Sequence, residues 1–233
     1  LARRSGTRLW EGNFVSEETL VECNRCGLIF TSPRLQKDLI LKSYTEEEDP
    51  RYVSQSEGRI KSFEKCLDAI TKYQTGGRVL DIGAAAGFFM KVAKDRGWDT
   101  FGIEPSRYLS DFGKRTYGLN IYNGTIETAP SFGPPMDVVT LWDVLEHTFD
   151  PKDVLTRCNR YLKEDGIIVV NYPNIGNWMA KLAGRRYWFI ISVNLFYFVP
   201  KTMKRMLEAT RFEVISSAPH FQWLELGYLV YRA

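Results

Sequence analysis

The segment Val-Leu-Asp-Ile-Gly-Ala-Ala-Ala-Gly-Phe-Phe, residues 79–89, constrains this chain more than any other. Apolar residues break into a turn of small residues and then into further apolar residues, which predicts a buried strand, a tight turn and a helix. Such a turn brings bare backbone close to a ligand, because glycine has no Cβ to stand in the way. Asp81, two residues before Gly83, limits which ligand: a pyrophosphate would meet a like charge, whereas a cationic or hydroxyl-bearing molecule would not. The dinucleotide fingerprint also fails, since with Gly83 as its first glycine the second place holds Ala85 and the third holds Phe88.

Strand-like and helix-like pieces alternate on both sides of this turn. Ile60, Phe63, Cys66, Leu67 and Ile70 recur at helical spacing and lead into a strand at Arg78–Ile82. A helix follows at Gly87–Arg96, a strand at Thr100–Ile103, a helix at Tyr108–Tyr117 and strands at Ile121–Tyr122 and Val138–Trp142. Next come a helix at Lys152–Leu162, a strand at Ile167–Asn171, a helix at Thr202–Thr210 and a strand at Phe212–Ser216. Phe221–Ala233 fits either a helix or a last strand. This alternation predicts a parallel sheet with helices on both faces, and ligands in such sheets sit beyond the carboxyl ends of the strands.

A chain of 233 residues with 44% hydrophobic and 14% aromatic content can bury one large core, with room for a small appendage. Residues 1–55 read as that appendage, with two short apolar pieces around Cys23 and Cys26, and residues 56–233 as the main domain. The net charge of +3 demands neither nucleic acid nor an acidic partner. Cys23, Cys26, Cys66 and Cys158 do not resemble a disulfide scaffold, and no secretory pattern is visible, so a cytoplasmic protein is expected. Cys23-x-x-Cys26-Gly27 has the spacing of half a zinc knuckle, but a tetrahedral site needs four ligands and no second pair is present. No metal is assigned.

Glu104 closes the second strand in Phe-Gly-Ile-Glu-Pro-Ser, residues 101–106, where a carboxylate can accept hydrogen bonds from both hydroxyls of a ribose. With Asp81 and the turn, this order resembles the class I S-adenosylmethionine-dependent methyltransferases across residues 77–174. The block Met136–His147 followed by Asp150-Pro151 is similar to the subgroup of ubiquinone-biosynthesis O-methyltransferases and several sugar and antibiotic methyltransferases. The resemblance implies a Rossmann-like fold, a mostly parallel seven-stranded sheet whose last strand is left open by Phe221–Ala233, and a substrate-covering lid insert near 175–200. It also implies S-adenosylmethionine as cofactor. Asp81 and the backbone of Gly83, Ala84, Ala85 and Gly87 would hold the methionine portion, Glu104 with Pro105 the ribose, and Trp142 and Asp143 the far side. Ile126 would face adenine, and Thr125 stands where an acid often receives the adenine amino group. Ala85 replaces the usual middle glycine, at little cost if its dihedrals are ordinary.

The resemblance implies methyl transfer to oxygen or carbon of a small-molecule acceptor. In-line displacement at a sulfonium depends mainly on alignment of the two reactants. His147 follows the fourth strand of the sheet and suits either a general base or a locally bonded residue opening the next helix, while Tyr172 leaves the fifth strand and either orients an acceptor or closes the pocket wall. A histidine that often precedes Leu-x-x-Phe in the subgroup's lid is Asn194 here. The aromatic run from Tyr187 to Val199, flanked by Arg185 and Arg186, is too short to cross a bilayer and suits a lid, a buried segment or peripheral membrane contact. The competing reading is a catalytically weak S-adenosylmethionine-binding partner protein, suggested by Ala85, Thr125 and the missing lid histidine. Oligomeric state is not legible.

Overall fold

The computed structural model describes residues 2–4, 20–34, 36–37, 39–40, 45, 48–183, 187, 190, 193–220 and 223. Its strands are β1 (Ala2–Arg4), β2 (Leu20–Cys23), β3 (Ile29–Thr31), β4 (Arg78–Ile82), β5 (Asp99–Glu104), β6 (Asn120–Asn123), β7 (Met136–Trp142), β8 (Leu162–Asn171) and β9 (Phe196–Tyr197). Its helices are α1 (Pro50–Ser54), α2 (Ser56–Ile70), α3 (Phe88–Asp95), α4 (Arg107–Tyr117), α5 (Pro151–Tyr161), α6 (Trp178–Ala183) and α7 (Pro200–Ala209). They fall into two compact units, one of residues 41–142, 157–171 and 218–233, the other of residues 1–40, 143–156 and 172–217.

The first unit is built on a sheet of order β6-β5-β4-β7-β8 in which each neighbouring pair is parallel. β4 and β7 are central and read as apolar runs because both of their faces are covered: Val79, Leu80, Val138, Val139 and Leu141 are all buried. On one face, Leu67 and Ile70 of α2 and Phe89, Val92 and Ala93 of α3 pack on Val79 and Val138. Alternation along the strands puts Leu80, and Phe101 paired with it, on the opposite face. There Phe101 meets Phe132 at 5.6 Å, which in turn meets Tyr161 of α5 at 5.9 Å. The chain runs outward from β4 to β6 and then returns to β7, so strand order reverses between β4 and β7. That reversal opens a crevice at the carboxyl ends of these strands.

Among the described residues this sheet has five strands, and the strand expected at Phe212–Ser216 is not formed. The Phe212 N–H instead donates to the Leu207 carbonyl at 2.9 Å, closing the end of α7, and Ile215 is 62% exposed. Among the described residues no strand lies beside it, so its backbone joins no ladder there. His220 and Trp223 lie against α2, the Trp223 N–H donating to Ser62 Oγ at 2.7 Å and His220 Nδ1 lying 3.6 Å from Cys66 Sγ. The rest of Phe221–Ala233 lies outside the described residues.

The second unit contains an antiparallel sheet of order β1-β2-β3-β9. The two apolar pieces around the cysteine pair are β2 and β3, joined by a turn in which the Gly27 N–H donates to the Cys23 carbonyl at 2.8 Å. Gly27 has φ +76°, a conformation open to glycine at no steric cost. Cys23 and Cys26 are free thiols, and among the described residues no group of three or more metal-ligating side chains forms. Backbone N–H groups of Cys26 and Arg25 hold the Cys23 thiol below its ordinary value. β9 takes the end of the aromatic run and pairs it with β3. Arg185, Arg186, Trp188 and Ser192 lie outside the described residues, so the lid expectation is only partly covered. No helix among the described residues is long and apolar enough to cross a membrane.

Candidate functional site

Asp81 and Glu104 end two adjacent parallel strands, and the turn after β4 is stitched to the end of β5. The Gly83 and Ala84 N–H groups donate to the Ile103 carbonyl at 2.8 and 3.0 Å, and the Ala85 N–H donates to Glu104 Oε2 at 2.7 Å. Glu104 Oε1 accepts the Ser106 N–H at 2.7 Å, so each carboxyl oxygen holds one backbone donor. Ser106 in turn caps α4, its Oγ accepting the Leu109 N–H at 3.3 Å. On β7, Thr140 donates its hydroxyl to Asp81 Oδ1 at 2.7 Å. Thr140 and Ser106 escaped the sequence reading, although Thr140 sits two residues before Trp142 and therefore shares its face of the sheet.

Both carboxyls are buried, Asp81 at 1% exposure and Glu104 at 6%. Burial pushes Asp81 up to about 8, the Thr140 hydrogen bond opposing it and the Glu104 charge adding to it. Burial also pushes Glu104 up to about 7, against the lowering effect of the Ser106 and Ala85 N–H groups. Desolvation dominates both, so each carboxyl keeps its proton to a higher pH than an exposed acid would.

The turn is strained at one position. Ala85 has φ +48°, so its dihedrals are not ordinary and the replacement of glycine is not free. Gly87 has φ +76° at the start of α3, and a Cβ there would collide with Leu119. Only glycine suits that place.

The structure brings other expected residues beside Glu104. The Gly124 N–H and the Asn123 amide both donate to the Glu104 carbonyl at 3.0 Å, and the Asn123 amide also reaches the Pro105 carbonyl at 3.0 Å. Thr125 follows directly, its N–H on Thr128 Oγ1 at 3.2 Å. Ile126 is buried and lines a cavity of about 300 Å³ together with Phe132, Met136, Arg157 and Tyr161. Met136 begins β7, so this cavity lies at the opposite end of that strand from Trp142. The Trp142 ring packs on Phe63, Phe89 and His220 at 5.4, 5.2 and 6.1 Å, and its indole N–H is buried without a partner.

Asp143, His147 and Tyr172 belong to the second unit. Asp143 has φ +53°, tolerable for an aspartate. His147 lies on a single 3₁₀ turn, Leu145–His147, with Nδ1 3.1 Å from the Val193 carbonyl. A carbonyl only accepts, so Nδ1 carries the proton of the neutral ring and Nε2 is its basic nitrogen. Tyr172 is half-buried with its ring edge-on to Phe198 at 5.8 Å, and burial raises its hydroxyl above the ordinary range. Asn194 is buried, and the neighbouring Leu195 N–H donates to the Glu146 carbonyl at 2.7 Å.

Comparison with known proteins agrees with this geometry. A methyltransferase domain matches residues 56–217. A ubiquinone biosynthesis O-methyltransferase of Cereibacter sphaeroides is 32% identical over 117 residues, covering 48% of this chain and 47% of that protein. The chain thus spans about half the length of the curated relatives it matches. A solved S-adenosylmethionine-dependent methyltransferase of Thermotoga maritima, described as a possible histamine N-methyltransferase, shares the fold with a TM-score of 0.57, 20% identity and coverage of 70% and 75% of the two chains. The plantazolicin methyltransferase BpumL, solved with SAH, gives a TM-score of 0.57 at 16% identity over 74% and 73%. With the two carboxylates, the turn and the strand reversal in place, the chain belongs to the methyltransferase-domain family, the class I S-adenosylmethionine-dependent methyltransferases.

Proposed function

We propose that this chain transfers a methyl group from S-adenosylmethionine to oxygen or carbon of a small-molecule acceptor, in the cytoplasm. The observation that carries this reading is the pair of buried carboxyls, Asp81 and Glu104, on either side of a turn that leaves β4 and is hydrogen-bonded to the end of β5. The residues fit the donor. Each Glu104 oxygen keeps a lone-pair site beyond the backbone N–H it accepts, enough for two vicinal ribose hydroxyls. Asp81 sits in a desolvated place where an ammonium would restore its charge, and the unpartnered Trp142 indole N–H offers a donor to a carboxylate. When bound, S-adenosylmethionine supplies an electrophilic methyl carbon.

Around it, Asp81 and the backbone of Gly83, Ala84, Ala85 and Gly87 bind the methionine portion, Glu104 and Pro105 the ribose, and Thr125 and Ile126 the adenine. Trp142 and Asp143 close the far side. His147 Nε2 takes the acceptor's proton and Tyr172 orients the acceptor. The similarity to a ubiquinone biosynthesis O-methyltransferase supports an oxygen acceptor. Calorimetry with S-adenosylmethionine and its demethylated product tests the reading. Micromolar binding is expected in the natural chain and none in Asp81→Ala; no heat with the natural chain overturns it.

A further inference from the structure

Two ionisable side chains of the second unit hold buried polar atoms that have no hydrogen-bond partner, and the function above uses neither. Glu146, on the 3₁₀ turn, is 1% exposed, and both of its carboxyl oxygens lack a hydrogen-bond partner. Arg34, just after β3, lays its guanidinium over the Phe149 ring at 4.2 Å and over Phe196 at 5.3 Å, and its Nη1 is buried and unpartnered. The same two segments frame both groups. Phe149 lies three residues after Glu146, and Phe196 follows Leu195, whose N–H donates to the Glu146 carbonyl at 2.7 Å. Phe196 in turn stacks on Phe198 at 6.4 Å, and Phe198 carries the Tyr172 ring.

A buried charge without a partner is strongly unfavourable, and native folds keep few such groups without a functional reason. Here a buried acid and a half-buried guanidinium lie on neighbouring segments and make no ion pair with each other. We propose that Arg34 and Glu146 form the acceptor-recognition site for a small hydroxy acid, the guanidinium binding its anionic group and the Glu146 carboxyl binding its hydroxyl. Guanidinium geometry matches a carboxylate in a two-pronged contact, while the Phe149 and Phe196 rings give an apolar wall that suits an organic skeleton over a bare inorganic anion. Burial and the neighbouring Asp143 hold the Glu146 carboxyl well above its ordinary value, so it meets a hydroxyl at little electrostatic penalty. The proposal rests on the methyl-transfer reading, to which it adds a substrate class.

The test is thermal denaturation of the protein saturated with demethylated cofactor, in a panel of 4-hydroxybenzoate, mandelate and glucuronate. Controls lacking the anion are methyl 4-hydroxybenzoate and glucose; benzoate lacks the hydroxyl. At least one hydroxy acid is expected to raise Tm while its controls do not, and the shift is expected to vanish in both Arg34→Met and Glu146→Gln. Both variants should bind the demethylated cofactor within about twofold of the natural chain, a difference of under half a kcal/mol. Without any panel compound, Glu146→Gln should raise Tm by roughly 2–4 °C, because it removes an acid that burial holds away from the charged form it takes in the unfolded chain. A fall in Tm in Glu146→Gln, a hydroxy-acid shift that survives either substitution, or no shift from any panel member overturns the proposal. Failure of the natural chain to bind the demethylated cofactor sinks the methyl-transfer reading, whereas loss of the hydroxy-acid shift in the two variants still supports the Arg34 and Glu146 site.

Discussion

Lowering the pH from about 7.5 to about 5.5 is expected to stabilise the free protein, and Asp81→Asn is expected to remove a defined part of that response. In the unfolded chain Asp81 ionises near 3.8, whereas burial in the fold pushes it up to about 8. Between those values the folded state holds one more proton than the unfolded state. The contribution is therefore fully present below pH 3.8 and is lost as pH rises through about 8. A one-proton difference changes stability by about 1.4 kcal/mol per pH unit, so from about pH 5.5 to about pH 7.5 the Asp81 share is at most about 2.7 kcal/mol. For a chain of this size that corresponds to a fall of roughly 5–11 °C in Tm. Glu104, pushed up to about 7, adds to the slope in the lower part of the range. Asparagine keeps an oxygen for the Thr140 hydroxyl and has no proton to gain, so the difference between the two slopes isolates Asp81. Urea unfolding of both proteins across that range measures it. The natural chain becoming more stable with rising pH, or equal slopes in the two proteins, would refute the reasoning.

The same site yields three further expectations. Glu104→Gln keeps an acceptor for one of the two backbone N–H groups of Ala85 and Ser106 and leaves the other buried against an amide donor, a loss of about 1–3 kcal/mol by chemical denaturation, with cofactor binding weakened in calorimetry. Ala85→Gly relieves a left-handed alanine and is expected to stabilise the protein by about 1 kcal/mol, read as a higher urea midpoint. Gly87→Ala drives a Cβ into Leu119 at a positive φ and is expected to destabilise by roughly 2–5 kcal/mol; a folded variant with an unchanged midpoint would contradict the steric argument.

Where burial is two-sided and a helix follows at once, the amino-acid pattern was sufficient: β4 is Arg78–Ile82 as expected, and α3, β5, α4 and β7 differ from expectation only at their ends. β2 and β3 are three or four residues long, too short for alternation to stand out, so they were legible only as apolar pieces. Phe212–Ser216 has the composition of a strand, yet a strand exists only where a neighbour supplies its ladder, and composition carries no information about neighbours. At the site, Asp81 and Glu104 could be read from their places after apolar runs. The roles of Thr140 and Ser106 depend on strand register and capping, and the φ of Ala85 on the path of the turn. Arg34 and Glu146 stand out only through burial without a partner, a property of three dimensions.

The pairing of β3 with β9 joins Thr31 to Leu195, 164 positions apart in the chain. A ribosome adding about 5–20 residues per second delivers the later segment on the order of ten seconds or more after the earlier one. For that interval the outer side of β3 is an unpaired strand edge in the growing chain, an open template for the wrong partner. Nascent-chain aggregation should therefore be traced to Ile29–Thr31, and a ribosome stall placed before codon 196 should worsen it.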